Sequence, residues 1–93
     1  MEKQKKAMEK AAEEHGYTIE KMKNKIEALM MEVVSPGRGF IQALESIEEE
    51  ESYEAPDYIM EKAETLDKKL NAPVLKRIAE DYEKYMNEYR DEQ

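Results

Sequence analysis

The sequence predicts an all-α protein: a small bundle of four to five amphipathic helices with short loops, or the same bundle with an N-terminal helical extension. Three observations carry this. Apolar residues recur every three or four positions along most of the chain. The three glycines and three prolines gather at a few breakpoints instead of scattering. No stretch alternates apolar and polar residues over the length of a strand. Ninety-three residues make a single helical domain, 1–93, with 1–16 as a separate or kinked N-terminal helix.

The first helical pattern is rich in Glu, Lys, Ala and Met and holds no proline. Two readings compete at "EEHGYTIEKM". Gly16 ends a short helix in a left-handed conformation and Thr18 caps the next one, or a single helix runs through. A stripe of Met8, Ala12, His15, Ile19, Met22, Ile26, Leu29 and Val33 keeps a 3.5-residue period across the glycine. The break or kink is favoured. The stripe reads chiefly as intramolecular core, because Met30 and Met31 widen it beyond a two-stranded seam. The alternative is the seam of a homodimer, in which case the protein is an oligomeric scaffold or assembly factor.

Further along, "SPGRGF" raises a choice between a phosphate cradle and a corner. Ser35, Pro36, Gly37 and Arg38 fit a type II turn, and Phe40 then anchors the following helix. A phosphate loop needs a preceding strand and a Lys-Ser or Lys-Thr behind it, and neither stands here. The corner is favoured. Phe40, Ile41, Leu44 and Ile47 then form one helical face. "SYEAPD" reads as a loop in which Pro56 opens the next helix. That helix buries Ile59, Ala63, Leu66 and Leu70. "NAP" at 71–73 stops it, and the last helix repeats Val74, Leu75, Ile78, Ala79, Tyr82, Tyr85, Met86 and Tyr89.

Charge narrows the function. The net charge is −8, with residues 1–34 neutral and the excess of acids concentrated in residues 35–72. Such a surface repels phosphate, so direct nucleic-acid binding and attachment to anionic membranes are disfavoured. No apolar run reaches bilayer length, and "MEKQKKAMEK" lacks the apolar segment of a secretory signal. With no cysteine the expectation is a cytoplasmic protein.

Catalytic and metal signatures are missing. The acidic run around Glu48, Glu49, Glu50 and Glu51 has no calcium-loop spacing. A di-metal bundle needs Glu-x-x-His pairs, yet Ala12 stands three before the single histidine, His15. Ser35, Ser46 and Ser52 have no nucleophile-elbow context. Neither enzyme activity, a cofactor nor a metal is expected. The leading expectation is a small acidic adaptor that binds a protein partner with a basic surface. Its contact face is Tyr82, Tyr85, Met86 and Tyr89, and Glu48, Glu49, Glu50 and Glu51 guide the partner in. A nucleic-acid-mimicking inhibitor of a DNA- or RNA-binding protein is the alternative use of the same carboxylates.

Overall fold

The computed structural model describes residues 2–49 and 55–91. Five helices follow one another: α1 (Glu2–Glu14), α2 (Ile19–Leu29), α3 (Val34–Glu49), α4 (Pro56–Leu70) and α5 (Val74–Asp91). The all-α expectation holds, with no strand among the described residues. No helix among them is long and apolar enough to cross a membrane.

The chain does break at Gly16, in the manner its neighbours prescribe. Gly16 takes φ +79°, a conformation that costs an L-residue about 1 kcal/mol and glycine nothing. Its N–H donates to the Glu13 carbonyl at 3.0 Å, and Tyr17 N–H reaches back to Ala12 at 2.8 Å. These two bonds are a Schellman closure, which satisfies carbonyls left over at the end of α1. Two residues later the Thr18 hydroxyl accepts from Lys21 N–H at 3.1 Å and caps α2. The stripe from Met8 to Val33 is therefore folded back on itself at the glycine. Met8, Ala12, Ile19, Met22, Ile26 and Val33 are buried within the chain, while His15 and Leu29 are half-buried.

"SPGRGF" is a correction. The expected type II turn is absent, because such a turn requires positive φ at Gly37 and Gly16 is the one described glycine with positive φ. The chain instead turns at Met30–Val33, where Met30, Glu32 and Val33 donate back to Glu27 and Leu29. Helix α3 has already begun at Val34, and Gly37 N–H makes an early rung to Val33 at 2.9 Å. Pro36 is tolerated because it lies in the first turn, where its missing N–H has no partner to lose. Gly37 is needed for space. A Cβ there would lie 2.8 Å from Met30 Cγ.

Helix α4 opens on Pro56 and closes on Asn71 in the left-handed region, φ 60° and ψ 29°. Asn visits that region more readily than most residues. Helix α5 then starts after Pro73, which offers no side-chain acceptor to its free N–H groups. Asp67, one turn before the end of α4, supplies the acceptor instead. Its two carboxylate oxygens take Leu75 N–H at 3.0 Å and Lys76 N–H at 2.8 Å. Asp67 is buried, and desolvation raises its pKa against the lowering effect of those two donors.

The helices close a ring. α2 lies on α3, α3 on α4, α4 on α5, and α5 packs most extensively against α1. The alanine-rich face of α1 (Ala7, Ala11 and Ala12 beside Met8) is fully buried. On α5, which packs against it, the large residues Ile78 and Tyr82 are also fully buried.

Candidate functional site

The tyrosine face of α5 is the first place a partner surface was expected, and α1 occupies half of it. Tyr82 is fully buried and Tyr85 is 5% exposed. The Tyr85 hydroxyl donates to the Glu14 carboxylate, and Lys10 Nζ stands 4.3 Å above the ring centroid. Bonding to Glu14, reinforced by burial, pushes the Tyr85 phenol up to about 12. Met86 and Tyr89 are half-buried and pack against the same core. Tyr82 and Tyr85 thus serve the α1–α5 interface and are not an open contact face. The reason is mutual: α1 has an apolar face, and α5 is the helix it packs against most extensively.

Near that interface His15 Nε2 lies 2.7 Å from Asp81 Oδ2, both side chains about one quarter exposed, at 27% and 29%. A His–Asp pair is two parts of a triad, but catalysis needs a nucleophile on the imidazole. Ser35 and Ser46 line a different groove, on α3. Ser52 lies outside the described residues. The pair ties the end of α1 to α5, the helix-end role open to a lone histidine.

Three helices converge on a groove of about 490 Å³. Glu9 and Glu13 come from α1, Glu20 from α2 and Glu48 from α3, with Tyr17 and Ile19 between them. The break at Gly16 creates this place, because it sets the outer face of α1 beside the start of α2. Lys23 bridges two of these carboxylates, 2.7 Å from Glu48 and 3.5 Å from Glu20. Its pKa is raised, chiefly by the hydrogen bond to Glu48. One lysine against four glutamates leaves the groove negative. Among the described residues no group of three His, Cys, Asp or Glu side chains is disposed to hold a metal ion. Of the four glutamates expected to guide a partner, Glu48 lies in this groove and Glu49 is exposed. Glu50 and Glu51 lie outside the described residues.

A second groove, of about 350 Å³, runs between α3 and α4. Arg38 lines it from α3, Tyr58 and Lys62 from α4, and Gly39 forms its floor. A third hollow, at the α4–α5 corner, is explained by packing: the carboxylate of Asp67 lines it but is engaged by Leu75 and Lys76 N–H.

Nothing in the local sequence pattern singles out Glu9, Glu13, Tyr17 and Glu20. Each is an ordinary outer-face residue in its own helix, and only the angle at Gly16 gathers them. The signal for that angle, Gly16 followed by Thr18, was present. Compared with known protein families, characterised proteins and solved structures, this chain matches none.

Proposed function

We propose that this protein is a non-catalytic helical adaptor that receives a basic segment of a protein partner in the groove walled by Glu9, Glu13, Glu20 and Glu48. One observation carries the reading: three helices bring four carboxylates to one groove that Tyr17 and Ile19 also line. That combination suits a lysine or arginine side chain, whose apolar stem lies on Tyr17 and Ile19 while its charged head meets the carboxylates. The net charge of −8 supports it further, since a field of one sign steers a basic partner and repels nucleic acid. A nucleic-acid mimic would also be acidic. It calls for a long exposed row of carboxylates, whereas the groove is a compact pocket with an aromatic in it.

The test is titration of the full chain with a fluorescent eight-residue peptide rich in arginine and leucine, at several salt concentrations. Exposed charge pairs contribute about 0.5 kcal/mol each. Replacing Glu9, Glu13 and Glu20 together by glutamine should therefore weaken binding about tenfold. Binding of the unaltered protein should also fade as salt rises towards 1 M. Equal affinity for the triple variant would overturn the groove as the site. A long duplex-binding protein captured in preference to the peptide would favour the mimic.

A further inference from the structure

We propose that the groove between α3 and α4 is a second docking site, of opposite charge, for a short acidic peptide segment that carries an aromatic or large aliphatic residue next to its carboxylate. The sign of the groove is the first observation. The chain has 23 acids and 15 bases, yet among the described residues none that lines the groove is acidic. Arg38 and Lys62 face it from opposite walls. No ion pair among the described residues uses Arg38. Lys62 Nζ rests 5.2 Å from the Tyr58 ring centroid. The start of α3, at Val34 and Ser35, also lines the groove, and its free N–H groups add partial positive charge.

The groove's floor and walls are the second observation. A Cβ on Gly39 would fall 2.7 Å from the Tyr58 hydroxyl and 3.6 Å from Lys62 Cε. Glycine at this position lets Tyr58 and Lys62 lie directly over the α3 backbone. Val34 and Tyr58 are two of the three large apolar side chains left exposed among the described residues, at 48% and 41%; the third, Met31, lies in the preceding turn. An adjoining hollow of about 240 Å³ shares Gly39, Gln42 and Tyr58 and continues to Ser46. From Ser35 to Ser46 the trough therefore follows α3 for about 16 Å at 1.5 Å per residue. An extended peptide of about five residues spans that length at roughly 3.3 Å each.

Length and chemistry choose the occupant. A carboxylate fits between guanidinium and ammonium, and its apolar neighbour packs on Tyr58 and Val34. A polyanion such as nucleic acid would meet the repulsion of the remaining surface, while one or two carboxylates need only this local reversal. A small free anion would leave most of the trough and its apolar walls unused. The site would use both Arg38 and the second glycine of "SPGRGF". This site is independent of the acidic groove, so failure of either leaves the other standing.

The experiment is selection of random eight-residue peptides on the immobilised full chain, followed by titration of the best peptide into isotope-labelled protein. Enriched peptides should pair Asp or Glu with Phe, Tyr, Leu or Ile, and amide signals of residues 34–42 and 58–62 should shift. Arg38→Ala with Lys62→Ala should lower affinity by about tenfold or more while helicity and melting temperature stay unchanged. Gly39→Ala, which fills the floor against a movable tyrosine tip, should weaken the same peptide. The proposal is overturned by failure to enrich acidic peptides, by their binding outside these residues, or by indifference to the double variant. It is equally overturned if inorganic phosphate alone reproduces the shifts and displaces the peptide at low millimolar concentration, since the site then takes a free anion. Concentration-dependent movement of the same signals before peptide is added would assign the groove to a second copy of the chain.

Discussion

Replacing Asp67 by alanine tests the joint on which the α4–α5 corner depends. The carboxylate accepts Leu75 N–H at 3.0 Å and Lys76 N–H at 2.8 Å, and Pro73 offers no side chain to replace it. Loss of a helix N-cap costs about 1 kcal/mol, and leaving a buried donor unsatisfied costs about 1–3 kcal/mol. Part of this is offset, because burial already raises Asp67 above its ordinary value and the alanine variant is spared that desolvation. The net expectation is a loss of about 2 kcal/mol, a fall in melting temperature of about 8–16 °C for a domain of this size. Asp67→Asn keeps one acceptor and should lose about half as much. Thermal unfolding by circular dichroism measures both, and hydrogen exchange should show the Leu75 and Lys76 amides losing protection in the alanine variant. As a control, Glu64→Ala removes only the 3.5 Å pair with Lys76, both partners well exposed, and should shift stability by less than about 1 kcal/mol. A fall of less than about 3 °C for Asp67→Ala, or unchanged exchange at Leu75 and Lys76, would refute the capping role.

The remaining predictions concern α1 and its attachment. Tyr85→Phe removes the donor to Glu14, and its effect should depend on pH. The folded protein holds the Tyr85 proton more tightly than the unfolded chain, up to about 12 against 10.0. Its stabilisation is therefore full below about pH 10 and fades as pH rises towards 12. The melting difference between the two proteins should be constant from pH 7 to 9 and shrink above 10; a difference that grows above 10 would contradict the assignment. Gly16→Ala should cost about 1 kcal/mol from backbone strain alone, because nothing lies within 4 Å of the added Cβ. Gly16→Asn should cost less, and equal melting temperatures for all three proteins would show that the left-handed turn does not form. Truncation to residues 17–93 should abolish cooperative unfolding, since α1 is the principal cover of α5; a truncated chain that melts as sharply as the full one would mean α1 is an accessory.

The two grooves have opposite charge and lie on different parts of the ring. The acidic one depends on the angle between α1 and α2, while the basic one depends on the α3–α4 approach at Gly39. On the two proposals made above, a basic segment and an acidic segment bind at once without competing for the same carboxylates. The His15–Asp81 pair and the Tyr85–Glu14 bond fasten α1, and through it they set one wall of the acidic groove.

Local chemistry made the helices and four of their ends legible. The break at Gly16 and the cap at Thr18 follow from residues within five positions of each other, and both formed as expected. Pro56 opening α4 and the stop at Asn71–Pro73 are equally local. "SPGRGF" is ambiguous in sequence for a physical reason. Proline and glycine serve a turn or a first helical turn alike, and the deciding contacts are with Met30 before the motif and with Tyr58, nineteen residues after Gly39. The Asp67 cap reaches eight and nine residues forward into another helix, beyond any capping-box spacing. Neither contact has a signature in the local pattern.

What the sequence determined by itself is the set of amphipathic helices, the stripe each must bury and the acidic balance of the surface. Periodicity establishes that a face is covered, because exposing it would forfeit its hydrophobic burial, but several faces in this chain have similar size and composition. Only the tertiary structure decided which meets which. It set α1 against α5, so that Tyr82 and Tyr85, half of the expected contact face, became interior. It also left Arg38, Tyr58 and Lys62 together around a bare glycine, and Glu9, Glu13, Glu20 and Glu48 around Tyr17. Such groupings are made by close packing between distant segments, where the shape of both surfaces selects the pairing and neither sequence segment specifies it alone.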